Sequence, residues 1–145
     1  VLLLGMGADE QFGGYSRHRK AFDRDGMLGA LCQVEQDIRR IPTRNLGRDD
    51  RVIADHGREG RYPFLDEAFM SLANALPLAV KADFTGERGL GEKKLLRMMA
   101  EAVGLASAAR LPKRAIQFGS RIAKMERGAR TAGHHRIGPN KPARE

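Results

Sequence analysis

The first fifteen residues constrain this chain most: Val1-Leu2-Leu3-Leu4-Gly5-Met6-Gly7-Ala8-Asp9-Glu10-Gln11-Phe12-Gly13-Gly14-Tyr15. Four apolar residues run directly into a glycine-rich segment with an acidic pair. An uninterrupted apolar run that ends at glycine reads as a strand buried on both faces, as in a parallel sheet. Glycine at the carboxyl end of such a strand lets the backbone approach a ligand closely, and open α/β sheets bind ligands at that end. A carboxylate placed there suits Mg²⁺, which takes one or two carboxylates together with substrate phosphates. The residues alone leave two readings open. Asp9 is either the metal carboxylate of a ligand loop or the N-cap of a plain strand–turn–helix.

A chain of 145 residues supports one core. No apolar run approaches the ~20 residues that span a bilayer, so no membrane segment is expected. The opening apolar run is too short for a signal peptide and has no basic flank. The chain starts without Met on what reads as an interior strand, and is expected to be a piece of a longer protein. Cys32 is the single cysteine. Its place among apolar helix positions predicts a buried structural thiol in a reducing, cytoplasmic protein. The net charge of +8 is uneven: residues 110–145 carry ten Lys/Arg against two Glu, leaving sixteen of each sign over residues 1–109. Aromatic residues are nearly absent after Phe118, so base-stacking platforms are missing and nucleic acid is not expected as a partner.

Asp9 to Tyr15 reads as a loop entering a helix, and residues 16–24 as a polar stretch with Phe22 buried at most. Asp25-Gly26 opens a helix with Met27, Leu31, Val34 and Ile38 on one face, ended by Pro42. Residues 43–51 read as a charged connection and Tyr62-Pro63-Phe64 as extended. Asp66 caps a short helix with core face Phe69, Leu72, Ala73 and Leu76, stopped by Pro77. Residues 81–91 read as loop. Glu92 to Val103 follows as a helix, with Leu95, Met98, Met99 and Ala102 on one face and Gly104 as C-cap. A last helix is expected from about Ser120 to Arg127. One strand with several helices is an incomplete sheet, because its ladder groups need partners from elsewhere.

Three ordered segments resemble the asparagine synthetase family of ATP pyrophosphatases. Gly7-Ala8-Asp9-Glu10-Gln11-Phe12-Gly13-Gly14-Tyr15 resembles its G-[AS]-D-E-x-F-G-G-Y segment. Asn45-Leu46 through Asp50-Arg51, then His56-Gly57-Arg58-Glu59-Gly60-Arg61-Tyr62-Pro63-Phe64-Leu65-Asp66, resemble D-R…H-G-x-E-x-R-x-P-F-L-D. Glu92-Lys93-Lys94-Leu95-Leu96-Arg97 resembles E-K-x-x-L-R. The likeness covers roughly residues 1 to 125, and the wording of residues 111–124 is similar to a eukaryotic branch of the family.

The resemblance implies an α/β fold: the C-terminal, mostly helical part of an adenine-nucleotide alpha-hydrolase-like (PP-loop ATP pyrophosphatase) domain over residues 1–127. It has one buried strand at the start, and a basic disordered tail follows at 128–145. In that family the remaining sheet, a Ser-Gly-Gly-x-Asp-Ser pyrophosphate loop and a glutamine-hydrolysing domain precede this region, and they are the expected missing partners. The implied activity of the whole protein is ATP-dependent amide formation on aspartate through β-aspartyl-AMP. Glutamine or ammonia supplies the nitrogen, and ATP and Mg²⁺ are the implied cofactors. The alternative is a non-catalytic relative that keeps the fold for nucleotide or protein binding.

By the same resemblance Asp9 is the Mg²⁺ and pyrophosphate carboxylate, Gly7 lies against the nucleotide, and Lys93 reaches the phosphates. Read without it, Lys93 is an ordinary lysine near a helix start. Glu59 and Arg61 flank the substrate side of the family's site as catalytic candidates. Read without it, they are a salt-bridged pair holding the Pro63-Phe64-Leu65 turn. Glu10 is expected to cap or orient the following helix, Arg97 to be structural, and His56 to pack or hydrogen-bond within its motif. Adjacent His134-His135 in a tail lack the support a metal site needs. Two departures favour the alternative. Met6 stands where the family's G-E-G-[AS]-D-E carries glutamate, and Ala115 falls at the place of a catalytic lysine, with Lys113 and Arg114 beside it.

Overall fold

Leu2–Leu3 (β1) and Gly60–Arg61 (β2) pair in parallel, with Leu2 opposite Gly60 and Leu3 opposite Arg61. The structure is a computed structural model that describes residues 1–113, and the packing below is that of Val1–Pro112. The helix expected near 120–127, the tail at 128–145, His134-His135, Arg114 and Ala115 lie outside the described residues. The opening strand corrects two expectations. It finds a partner within the chain, and it is not buried: Val1 and Leu3 are each 79% exposed. Among the described residues β2 is its only strand partner, and β1 is an edge of a two-stranded sheet rather than a central strand.

Ala8–Gln11 (α1) follows at once. Ser16–Ile41 (α2) is a long helix broken at Gly26, whose φ of 67° and ψ of −158° are not helical. The helix that the Asp9–Tyr15 loop enters therefore starts at Ser16, ahead of the Asp25-Gly26 opening expected. The polar side chains there turn inward and pair, so no apolar stripe announces them. After the break, Ala30 and Val34 pack on Leu78, Ala82 and Phe84, with Phe22 and Ile38 partly buried against the cluster. That packing sets the helix phase and leaves Met27 and Leu31 partly exposed and Cys32 exposed, against expectation.

Pro42 does not end helical structure. It opens a π-helical turn, Pro42–Leu46, that runs into Gly47–Asp55 (α3), where a charged connection was expected. Proline is tolerated in a first turn because its missing N–H has no partner there anyway. Tyr62 has the φ of −122° expected before proline, but Pro63–Leu65 then forms a 3₁₀ turn instead of extended chain. Asp66 caps Glu67–Ala75 (α4) by accepting from the amides of Ala68 and Phe69, at 3.0 and 3.1 Å. Ala73 is the buried residue of that helix, while Leu72 faces solvent. Phe69 meets Phe64 edge-on at 5.3 Å and Phe12 at 6.1 Å.

Pro77 leads into Leu78–Lys81 (α5). The loop after it reaches Lys94–Ala102 (α6), which starts two residues later than expected because Lys93 is left-handed, with φ 55° and ψ 33°. Met98 and Met99 lie on its exposed side. Gly104, at φ 84°, closes the helix: its amide reaches Glu101 and that of Leu105 reaches Ala100, the usual glycine C-terminal arrangement. Ala106–Ala109 (α7) follows. No described helix is long and apolar enough to cross a membrane.

Candidate functional site

The three sequence motifs converge on α1. Gly7 sits at its start with φ 94°, a conformation glycine adopts without strain. A side chain there would run into Leu65 of the second motif. Gln11, fully buried, donates from Nε2 to the carbonyls of Gly7 at 3.1 Å and Phe64 at 2.6 Å, joining the first motif to the Pro63–Leu65 turn. From the third motif, the Lys93 amide donates to the Phe12 carbonyl at 3.1 Å. Its ammonium stands 3.1 Å from Asp9 Oδ1, both side chains being about a quarter exposed.

The Gly13-Gly14 pair shapes the far side. The Gly14 amide donates to the Asp9 carbonyl at 2.8 Å, and a Cβ on Gly14 would lie 2.8 Å from Asp9 Cα and collide with its carboxylate. Gly13, at φ 66°, packs on Phe84 and Ala82. Asp9 is thus held on a short, glycine-bounded turn with a lysine facing it.

Glu59 and Arg61 occupy a different place. They flank and belong to β2, pair with each other at 2.7 Å, and are each about 60% exposed. Their carbonyls accept from Leu2 and Leu4 at 2.8 and 2.9 Å, so they lie beside the strand that feeds Gly5-Met6-Gly7. Arg97 binds the carbonyls of Glu92, Ala109 and Leu111, a structural role. His56 Nδ1 lies 3.0 Å from the Val52 carbonyl at the end of α3.

Behind α1 lies a polar network that sequence reasoning missed. Glu10 is almost fully buried and accepts from Tyr15 Oη and Asn45 Nδ2, each at 2.5 Å. Burial and the Glu10 bond push the Tyr15 phenol well above its usual range, so it remains a donor. The Tyr15 amide donates to His18 Nδ1 at 3.3 Å, while His18 Nε2 lies 2.8 Å from Asp37 Oδ2, which Arg17 Nε also reaches at 2.6 Å. An Nδ1 that accepts leaves the proton on Nε2, facing Asp37. Burial holds the His18 pKa below its ordinary value against the pull of Asp37. Burial would raise Asp37, yet its bonds to Arg17 and His18 prevail and keep it low. Asp37 and Asn45 come from well beyond the Glu10–His18 stretch that they bind, so no spacing in the chain announces the network.

Mg²⁺ and a nucleotide are compatible with this donor set. Among the described residues no three His, Cys, Asp or Glu side chains gather to hold a metal. A single carboxylate facing an ammonium suits a cation shared with phosphate oxygens.

The sequence matches the family model described as Asparagine synthase over residues 33–137. It is 54% identical over 134 residues to asparagine synthetase domain-containing protein 1 of Gallus gallus, covering 92% of this chain and 21% of that protein. The protein of the same name from Homo sapiens is 58% identical over 127 residues, covering 88% of this chain and 20% of that protein. An asparagine synthetase (glutamine-hydrolyzing) of Triphysaria versicolor is 30% identical over 97 residues, covering 67% of this chain and 16% of that protein. The chain spans about a fifth of the length of the curated relatives it matches first. No solved structure matches it.

Proposed function

The chain belongs to the asparagine synthase family, and from that premise we propose that it supplies one wall of a Mg·ATP site in a PP-loop ATP pyrophosphatase domain. The whole protein would use that site to form an amide on aspartate through β-aspartyl-AMP, in the cytoplasm. The observation that carries this reading is the Asp9–Lys93 pair on its glycine-bounded turn. Mg²⁺ would neutralise phosphate charge and ease departure of pyrophosphate. Asp9 would hold that cation, and Gly7 would let the backbone come close to the nucleotide. Lys93 would turn its ammonium from Asp9 to phosphate oxygens. Glu59 and Arg61 would serve the aspartate side from the neighbouring strand.

A second reading rests on Met6. A half-buried thioether stands where the resemblance calls for glutamate, and it cannot act as an anion. On that reading the nucleotide binds without amide formation.

The test is AMP and pyrophosphate release by the full-length protein with ATP, Mg²⁺, aspartate and ammonia. Aspartate-dependent AMP formation is the expected result. Mg·ATP binding without it would favour the second reading, and no Mg·ATP binding would overturn both.

A further inference from the structure

Lys93 is the sole described non-glycine residue with positive φ, at 55°. L-residues other than Asn and Asp rarely adopt this conformation, and it persists only where the surroundings over-determine it. Here they do. Glu92, 5% exposed, receives Arg19 Nε on Oε1 at 2.9 Å and the Gly89 amide on Oε2 at 2.7 Å. The same Arg19 donates from its guanidinium to the carbonyls of Phe84 at 2.7 Å and Gly86 at 2.9 Å. Arg97 Nε binds the Glu92 carbonyl at 2.9 Å, and the Arg97 amide binds that of Lys93 at 3.0 Å. On the other side, the Asp83 amide donates to Gly91 at 2.9 Å, and a side chain on Gly91 would collide with the Asp83 carbonyl. The residue before Lys93 is therefore fixed through its side chain, and the residue after it begins α6.

Resting on the nucleotide reading above, we propose that Arg19 and Glu92 are positioning residues that lock the Lys93 backbone in its left-handed conformation and so hold its ammonium at Asp9. A glycine or asparagine would satisfy this backbone with less strain but carries no charge. The part-buried Arg19–Glu92 pair lets a lysine occupy the position. Both act through Lys93.

The experiment is a double-mutant cycle in the full-length protein, with Mg·ATP affinity from calorimetry and exchange of the Lys93 amide as separate readouts. Glu92→Gln keeps the shape and loses the charge. It is expected to weaken Mg·ATP on the order of tenfold, as coupled neighbours do, and to speed Lys93 amide exchange. Arg19→Lys keeps the charge but cannot span Glu92, Phe84 and Gly86, and should repeat the pattern if Glu92→Gln folds poorly. Lys93→Asn removes the ammonium and tolerates the backbone. In that background Glu92→Gln should cause no further loss of affinity. An equal loss in both backgrounds would show Glu92 acting independently of Lys93 and overturn the proposal, as would unchanged affinity and exchange in Glu92→Gln. Wild-type affinity in Lys93→Asn would overturn the nucleotide reading itself. That failure is told apart from failure of the lock by amide exchange, which needs no nucleotide.

Discussion

Lys93 Nζ lies 3.1 Å from Asp9 Oδ1, and the Lys93 amide is bonded to Phe12 in the turn that carries Asp9. The helix start and the acidic turn are therefore one structural unit. A partly exposed ion pair of this kind stabilises a fold by about 0–1 kcal/mol at most. Stability alone is a weak reason for a strained lysine to face this carboxylate. Binding of a cation and an anion at one place is a stronger one.

Gly14 should tolerate no side chain. Its Cβ would lie 2.8 Å from Asp9 Cα, which is backbone and cannot swing away. Gly14→Ala is expected to cost about 1–3 kcal/mol of stability, the usual range for overpacking, and to weaken Mg·ATP binding by displacing Asp9. Urea unfolding and a nucleotide titration check both, and wild-type values in both would show that the turn relaxes freely.

The His18–Asp37 pair should make stability fall on acidification. The folded His18 pKa is below the ordinary 6.5, so from pH 6.5 downward the unfolded chain takes up a proton that the folded chain refuses. Stability from this residue is thus complete above pH 6.5. It declines as the pH falls and stops declining below the folded pKa. Asp37, held below its ordinary 3.8, adds a second loss that begins under about pH 4. His18→Gln should flatten the profile just below pH 6.5 relative to wild type. A wild-type profile that rises on acidification through that range would contradict the neutral, Nε2-protonated His18.

What the sequence made legible was the glycine-rich turn, the Asp66 cap and the Gly104 stop, because each rests on local backbone chemistry. Three things were hidden. The exposure of Leu2 and Leu3 depends on which layers cover them, and an apolar run says nothing of that. The first half of α2 is held by His18, Arg17 and Arg19 pairing with Asp37 and Glu92 beside Ala21 and Phe22, so polar groups interrupt its buried face and no long apolar period shows. Cys32 was placed inside because Met27, Leu31, Val34 and Ile38 also form a helical stripe. That stripe holds at Val34 and Ile38, while packing turns Ala30 inward in place of Met27 and Leu31. In the site, Asp9, Gly7 and Lys93 were named from motif resemblance, while the geometry that joins Asp9 to Lys93 needed the fold. Glu59 and Arg61 form the mutual ion pair that their residue types allowed.

The most direct measurement is calorimetric titration of Mg·ATP into the full-length protein and its Asp9→Asn variant, with melting temperatures for both. Asparagine keeps the size and most hydrogen bonding of Asp9 but removes the anion that would hold Mg²⁺. Nearly equal melting temperatures are expected, since little stability rests on the Asp9–Lys93 pair, together with a loss of Mg·ATP affinity. Equal affinity in the two proteins would contradict it. If the melting temperature also fell, Asp9 would be left as a structural residue of the turn.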